Sequence, residues 1–211
     1  RSMPRLLLSL LALAALGGCT AIGAVNRAAE PLDAFEVRAP DTAPEARTTQ
    51  GIDFIVTEPS ASGAIDTDRI LVRPMPTQIQ YLPDARWSEP APMMVQTAMV
   101  ETFLRANAFR FVGREPLGVS GDVALVTDLV DFGAEIRPGA EGAVVEMTLV
   151  ARLVREEDAA VLASRSFSQS VVAPDTETPT LVAGFEAVTD AVLTDLARWV
   201  YRVRGVPVGP S

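Results

Sequence analysis

Apolar and polar residues alternate along much of the second half of the chain. Between Ala143 and Val154 the apolar positions are Val145, Met147, Leu149, Ala151 and Leu153, and they alternate with Glu146, Thr148 and Arg152. This period of two predicts a strand with one buried face and one face in water. Further strands are predicted over 123–136 and 161–172, joined to the first by turns at 137–142 and 155–158. The pattern therefore predicts three consecutive antiparallel strands.

The first half of the chain contains shorter apolar runs. They predict strands over 34–38, 52–56, 69–73, 77–81 and 109–112, separated by loop-like segments at 39–51 and 59–68. Pro74 and Pro76 lie between the third and fourth of these strands. Since proline cannot donate a ladder hydrogen bond, this spacing predicts an edge strand or a sharp corner.

A helical period begins after Trp87. Ser88 is a predicted cap and Pro90 falls in the first turn, where a missing N–H costs little. The apolar stripe of this helix consists of Val95, Met99, Phe103 and Ala106. Glu101 and Arg105 form an i,i+4 pair in the favourable order on another face. The sequence thus predicts a first amphipathic helix.

The last predicted element is a long helix with clear ends. Thr178 is the predicted cap, Pro179 the first helical residue and Gly205 the end. Its apolar stripe consists of Leu181, Phe185, Val188, Val192, Leu196, Trp199 and Val203. Grouped antiparallel strands with two amphipathic helices predict an α+β domain, a mostly antiparallel sheet with both helices packed on one face.

The N-terminal segment has the pattern of an export signal. Arg5 precedes an apolar run of 11 residues, 6–16, whereas a membrane-spanning helix needs roughly 20. Leu16-Gly17-Gly18-Cys19 then fits the lipobox, whose cysteine receives diacylglycerol. We expect residues 1–18 to be a signal peptide, with Met3 as its start after Arg1 and Ser2, and residues 19–33 to be a lipidated tether. The alternative is a cleaved secretory signal followed by an incidental cysteine.

The residue after the cysteine predicts the membrane. Thr20 stands where an aspartate usually retains a bacterial lipoprotein in the inner membrane. We therefore expect attachment to the outer membrane through N-terminal acyl chains, with the domain on the periplasmic face. Cys19 is the only cysteine, so no disulfide can form within the chain.

Charge excludes some partners. Removal of residues 1–18 takes away two arginines and no acid, so the net charge of −9 becomes −11. An acidic chain without a basic patch argues against nucleic acid and against electrostatic attachment to anionic lipid.

The residue types also limit the chemistry. The chain has no histidine and no lysine, which removes the commonest general base, the commonest metal ligand and any P-loop. Carboxylate catalysis or calcium binding could be built only from the acidic groups Asp66 with Asp68, 156–158, and Asp128 with Asp131. The first two fit solvated turns, and a cross-strand partner accounts for Asp128. We therefore predict no catalytic residue, no cofactor and no metal, with a carboxylate hydrolase as the minor alternative.

A family resemblance rests on the stretch between Gly63 and Gly113. Its motifs are Asp68-Arg69-Ile70-Leu71-Val72-Arg73-Pro74, then Ile79-Gln80-Tyr81-Leu82, then Arg86-Trp87-Ser88-Glu89-Pro90 running into a helix. These motifs resemble the ABC-type transport auxiliary lipoproteins of the PqiC and YmbA kind. The later strands, with Ser166-Phe167-Ser168 near the end of the last, and the long helix fit the same family. The resemblance covers 34–205 and leaves 206–211 as a tail.

The resemblance implies a function without catalysis. Members of this family accompany an ABC permease, its ATPase and an MCE-domain protein that carries lipid between membranes. The resemblance thus implies a docking partner for the MCE protein at the outer membrane, acting as a homo-oligomeric ring. Arg73, Tyr81 and Trp87 are the motif positions we consider for partner contact, although packing at the entrance of the first helix also accounts for Tyr81 and Trp87.

A second function class fits the same features. A periplasmic lipoprotein that activates a peptidoglycan synthase would also be a small tethered α+β domain without catalytic groups. Gene neighbourhood separates the two: permease, ATPase and MCE genes favour transport, and cell-wall synthases favour the activator.

Overall fold

A computed structural model of the protein describes residues 32–118, 121–136, 139 and 141–209. Within these residues the elements are β1 (Asp33–Phe35), β2 (Gln50–Val56), β3 (Ser60–Ala61), β4 (Arg69–Met75), β5 (Gln78–Trp87), α1 (Ala91–Ala106), β6 (Phe109–Gly113), β7 (Val123–Ile136), β8 (Ala143–Arg155), β9 (Ala160–Ala173) and α2 (Thr178–Arg204). The predicted signal peptide, Cys19 and nearly all of the tether lie outside the described residues. The unit from Ala34 onward has its own hydrophobic core.

In the part of the chain that the structure describes, β7 is the central strand of a nine-stranded sheet. One edge of β7 pairs antiparallel with β8 along its length, and β8 pairs antiparallel with β9. The other edge pairs in parallel with three short strands in succession, through Phe54 of β2 at Val123, Ser60 of β3 at Asp128 and Arg73 of β4 at Glu135. β6 lies beyond β2, and β5 and β1 lie beyond β4. The mostly antiparallel sheet is confirmed by its long pairings, while the parallel contacts were not predicted.

The alternation in β8 separates the two faces of the sheet. The five apolar positions predicted to be buried are all 0% exposed, and the residues between them are partly exposed. In β7 the register shifts between Leu129 and Asp131, so Val130 is an extra residue on the exposed side. Such a bulge bends the strand locally. We call the side away from the helices the outer face.

Both helices pack on the other face, as predicted. α1 contacts β2 and β6, and α2 contacts β7, β8 and β9. Aromatic rings join the layers: Phe54 of β2 lies 4.9 Å from Phe103 of α1, which lies 6.0 Å from Tyr201 of α2, measured between ring centroids. The Glu101–Arg105 ion pair in α1 is present at 3.6 Å. Among the described helices, none is long and apolar enough to cross a bilayer.

The predicted N-terminal caps are wrong. The residues before the helices are Pro90 and Glu177, without a side-chain cap, and Thr178 is already helical. The Ser88 N–H instead donates to the Phe35 carbonyl at 2.7 Å, and the first N–H of α1, on Ala91, donates to the Thr67 carbonyl at 3.0 Å. A backbone carbonyl from a distant loop thus accepts the hydrogen bond that a side-chain cap would otherwise accept. The predicted end of α2 is confirmed, because Gly205 has the left-handed φ of 65°.

The first strand is shorter than predicted. β1 ends at Phe35, and the chain then leaves the sheet and crosses the helices. The Val37 N–H contacts the Met94 sulfur at 3.5 Å, and Arg105 donates to the Ala39 carbonyl at 3.3 Å. Because Val37 and Ala39 contact α1 instead of a neighbouring strand, the strand ends at Phe35. The local sequence pattern does not predict these contacts.

Candidate partner-binding surface

The three positions considered for partner contact all lie on the hairpin formed by β4 and β5. Arg73 belongs to β4, and its guanidinium lies 3.0 Å from the Asp131 carboxylate of β7, as an ion pair without a well-aligned hydrogen bond. Gly133 leaves the room for it, since a Cβ there would lie 2.5 Å from the Arg73 Nη1. Arg73 therefore fastens the hairpin to the central strand.

Tyr81 fixes the loop that precedes β4. Its hydroxyl donates to the Ala64 carbonyl at 3.2 Å, and the Arg69 guanidinium lies 5.6 Å from its ring centroid. Such a cation–π contact adds about 0.5–1 kcal/mol at a partly exposed site. The ring is half-buried between the loop and the outer face of the hairpin. Tyr81 thus supports the shape of this surface.

Trp87 is a core residue, at 1% exposure. Its ring lies 5.5 Å from that of Phe132 and 5.2 Å, edge on, from that of Phe185 of α2. This is the packing role at the entrance of α1. Contact of Trp87 or of the other two positions with a partner stays a prediction, and for Trp87 the burial weighs against it.

The free end of the hairpin carries apolar side chains in water. Met75 is 50% exposed and Ile79 is 51% exposed, on either side of the turn at Pro76 and Thr77. We call residues 75–79 the hairpin tip. Pro74 and Pro76 predict this corner, but the sequence pattern does not distinguish Met75 and Ile79, since the same alternation also fits a buried pair. The hairpin tip therefore exposes two apolar side chains to water, and the contacts of Arg73 and Tyr81 hold the rest of the hairpin in place.

The acidic groups of the sequence are engaged in contacts within the protein. Asp128 on the outer face accepts a hydrogen bond from the Ser60 hydroxyl and one of 2.6 Å from the Arg152 guanidinium. The Ser60 hydrogen bond first, and Arg152 second, lower the pKa of Asp128. This confirms the cross-strand explanation of Asp128. Among the described residues, no group of three or more carboxylate or thiol side chains is arranged to hold a metal ion.

Two further acidic groups stabilise turns. The Glu156 carboxylate accepts a hydrogen bond from the Gly121 N–H, and Asp158 pairs with Arg155 at 2.9 Å. Asp68 lies 3.7 Å from Arg86, next to the start of β4. These contacts agree with the turn interpretation of both groups.

A cavity of about 480 Å³ lies beside the end of α2. It is lined by Pro44, Arg198, Tyr201, Arg202, Val206, Pro207, Val208 and Gly209. The Tyr201 hydroxyl is buried, and burial raises its pKa. A phenol is already protonated at neutral pH, and burial disfavours its ionisation further.

Comparison with solved structures supports the fold. A protein of Xanthomonas campestris is 29% identical, with a TM-score of 0.71 over 83% of this chain and 97% of its own. An uncharacterized protein that is 12% identical shares the fold alone, with a TM-score of 0.60 over 81% of this chain and 99% of its own.

Comparison of sequences identifies the family. An uncharacterized protein of Bradyrhizobium diazoefficiens is 26% identical over 170 residues, 78% of this chain and 44% of its own, so the chain spans less than half of that relative. The sequence model of a protein family, described as the ABC-type transport auxiliary lipoprotein component, matches residues 34–197 of this chain. This match includes the β4–β5 motifs and confirms the resemblance. The chain belongs to the family of ABC-type transport auxiliary lipoprotein components.

Proposed function

We propose that this protein is a non-catalytic lipoprotein of the outer membrane, which docks the periplasmic MCE-domain protein of an ABC-type lipid transport system. The observation that carries the proposal is the family match over residues 34–197. The lipobox ending at Cys19, followed by Thr20, supports the anchor and the membrane. The chain has no lysine and therefore no P-loop, so in this proposal another subunit hydrolyses ATP.

The hairpin tip is the docking surface in this proposal. Apolar side chains that are half in water lose unfavourable hydration when a partner covers them, and each contributes about 1 kcal/mol or more when fully buried. Met75 and Ile79 meet this condition, and the Arg73–Asp131 and Tyr81–Ala64 contacts hold their base in place. A pre-organised surface binds with a smaller entropic cost than a loose one.

A pull-down tests the docking. Residues 20–211, which keep the unit from Ala34 onward whole, are incubated with a purified periplasmic MCE-domain protein from the same organism. The wild type should bind, and Met75→Asp/Ile79→Asp should weaken binding by at least about tenfold, since two apolar contacts become charged.

Leu117 supplies the matched control. It is 76% exposed, in the loop after β6, near the start of β7, whereas the tip lies near the end of β7. Leu117→Asp should bind as the wild type does. If the wild type does not bind the MCE protein, the auxiliary role is wrong. Equal losses from the tip and Leu117 variants would mean that the tip is not the docking surface.

The proposal also includes a homo-oligomeric ring. Several weak contacts with one partner add through effective concentration when identical subunits are joined. Mass photometry of the same fragment counts the subunits. A strictly monomeric protein contradicts the ring without affecting the docking result.

A further inference from the structure

β9 has a free edge. It pairs with β8 from Ala160 to Ala173, and within the described part of the chain no strand pairs with its other side. Between Ala163 and Val171 the pairing with β8 has no register shift, and this stretch contains no proline. A long, regular edge presents unpaired backbone donors and acceptors and is a template for another strand.

The sequence of this edge is nearly symmetric about one residue. It reads Ser164-Arg165-Ser166-Phe167-Ser168-Gln169-Ser170. If two copies run antiparallel with Phe167 opposite Phe167, Ser166 faces Ser168 and Ser164 faces Ser170 of the second copy. In this register Arg165 faces Gln169, so no like charges oppose each other. The edge is therefore complementary to itself.

The serine side chains lie on the outer face and are ready for cross-strand contacts. All four serines are exposed, and Ser168 already shares a hydrogen bond of 2.8 Å with Thr148 of β8. Residues directly opposite in an antiparallel pair project to the same face. Pairing of two β9 edges thus continues this row of hydroxyl contacts across the junction.

α2 follows the same symmetry. It runs antiparallel to β9, because Asp195 accepts a hydrogen bond of 3.2 Å from Gln169 and Trp199 lies 5.7 Å from Phe167. Arg202 lies about 4.5 Å beyond Trp199 along the helix, and Arg165 about 6.8 Å beyond Phe167 along the strand, so the two come to nearly the same level. The register that places Gln169 opposite Arg165 therefore places Asp195 opposite Arg202 of the second copy, twice.

The helices meet at a suitable distance and with suitable charges. α2 packs about equally on β8 and β9, so a strand spacing of about 4.8 Å places the two α2 axes about 10 Å apart, close to the distance of packed helices. Asp195 and Arg202 point to the same side of α2, about 20° apart at 100° per residue. Besides its hydrogen bond with Gln169, Asp195 has one ion pair among the described residues, a 3.5 Å contact with Arg198, and Arg202 has none there.

We propose that β9 binds the β9 edge of a second copy of this chain, antiparallel and in register about Phe167, so that the sheet continues across a two-fold axis. This contact is independent of the proposed docking function and lies on a different surface from the hairpin tip. A contact of this symmetry closes on itself and gives a dimer, so a ring requires a second contact elsewhere.

A pair of double variants tests the register. Ser166→Glu/Ser168→Glu places like charges opposite each other at both symmetric positions, and Ser166→Glu/Ser168→Arg places opposite charges there. Sedimentation equilibrium of residues 20–211 at low salt should show that the wild type associates as a dimer, or as a ring assembled from such dimers with an even number of subunits. The first variant should weaken the dimer by at least about tenfold, and the second should restore it to within about threefold.

A charge reversal on α2 gives an independent test. Asp195→Arg and Arg202→Asp should each weaken the dimer, and the combined variant should recover it, since the pair is only reversed. Thermal unfolding of every variant shows that the fold is kept. A monomeric wild type, or equal association of the two serine variants, would overturn the proposal.

Discussion

Acidic residues that look alike in the sequence have opposite effects in the structure. Asp128 is stabilised in its charged form by Ser60 and Arg152, which lower its pKa. Asp190 in α2 is destabilised in its charged form, because burial first and then Glu186 and Asp41 raise its pKa. The shift of Asp128 does not follow from its neighbours in sequence, since Ser60 is 68 residues away. For Asp190, Glu186 is a neighbour in the helix, but burial, the main cause, depends on the fold. The signs of the two shifts give two predictions.

Replacement of Asp128 by asparagine should destabilise the protein near neutral pH. The folded pKa lies below the unfolded value of about 3.9, so the stabilisation is complete above that value and is lost as pH falls through the folded pKa. The melting temperature of Asp128→Asn should therefore fall below that of the wild type near pH 7 and approach it in acid. A deficit that is equally large in acid would contradict the charge explanation.

Replacement of Asp190 by asparagine should have the opposite effect. A raised folded pKa means that the folded protein loses stability as pH rises from the unfolded pKa through the folded one. Asp190→Asn should thus melt at a higher temperature than the wild type near pH 7, with no advantage in strong acid. Asp84→Asn, exposed on β5, serves as the control and should change the free energy of unfolding by less than about 0.5 kcal/mol. If Asp190→Asn is less stable near pH 7, the role given to its charge is wrong.

At the scale of elements, a regular sequence pattern predicts the bounds of those strands and helices that bury one continuous face. β7, β8, β9 and α2 were predicted within a few residues, since each has a long regular pattern with one buried face. The parallel contacts of β2, β3 and β4 with β7 join residues 60 or more positions apart, and no local pattern records them. The missing caps have the same origin, since the carbonyl that serves α1 comes from Thr67 in a distant loop.

The close approach of α2 to β8 also belongs to this scale. A Cβ at Gly184 would lie 2.8 Å from the Val145 Cγ2. Val145 is fully buried, so its side chain cannot move away without displacing other core residues. Gly184→Val should therefore cost about 1–3 kcal/mol in the free energy of unfolding by chemical denaturation. The neighbouring Ala183 is exposed, and Ala183→Val should cost much less.

A second replacement tests whether the contact with Val145 causes the destabilisation expected for Gly184→Val. Val145→Ala removes the opposing methyl groups, so the two changes together should cost less than the sum of the single changes. Strict additivity would mean that the helix is not limited by this contact.

At the scale of the whole molecule, the candidate surface was predictable only in part. The motifs led to the β4–β5 hairpin, because Pro74 and Pro76 mark a corner and Tyr81 and Trp87 are conspicuous aromatic residues. Their contacts could not be predicted: Arg73 pairs with an aspartate 58 positions away, and Trp87 packs against Phe185 of α2. The exposure of Met75 and Ile79 depends on how far the hairpin extends from its neighbours, which is a property of the assembled sheet.

The anchor predicts where the molecule resides. The mature wild type should lose residues 1–18, gain acyl mass and separate with outer-membrane markers on a sucrose gradient. Thr20→Asp should shift it towards inner-membrane markers, and Cys19→Ala should release it from the membrane fraction. A Cys19→Ala protein that stays membrane-bound would refute the lipid anchor, and a wild type that separates with inner-membrane markers would refute the assignment to the outer membrane.

The central claim is that this protein docks an MCE protein through the hairpin tip, and site-specific photo-crosslinking in living cells tests it most directly. A photoreactive residue at Ile79 in the lipidated protein should form an adduct with an MCE-domain protein of the same cell, identified by mass spectrometry. The same group at Leu117, exposed in the loop after β6, should form none. Adducts at Ile79 alone are the predicted result. No MCE adduct at Ile79, with the protein correctly placed in the membrane, would contradict the account.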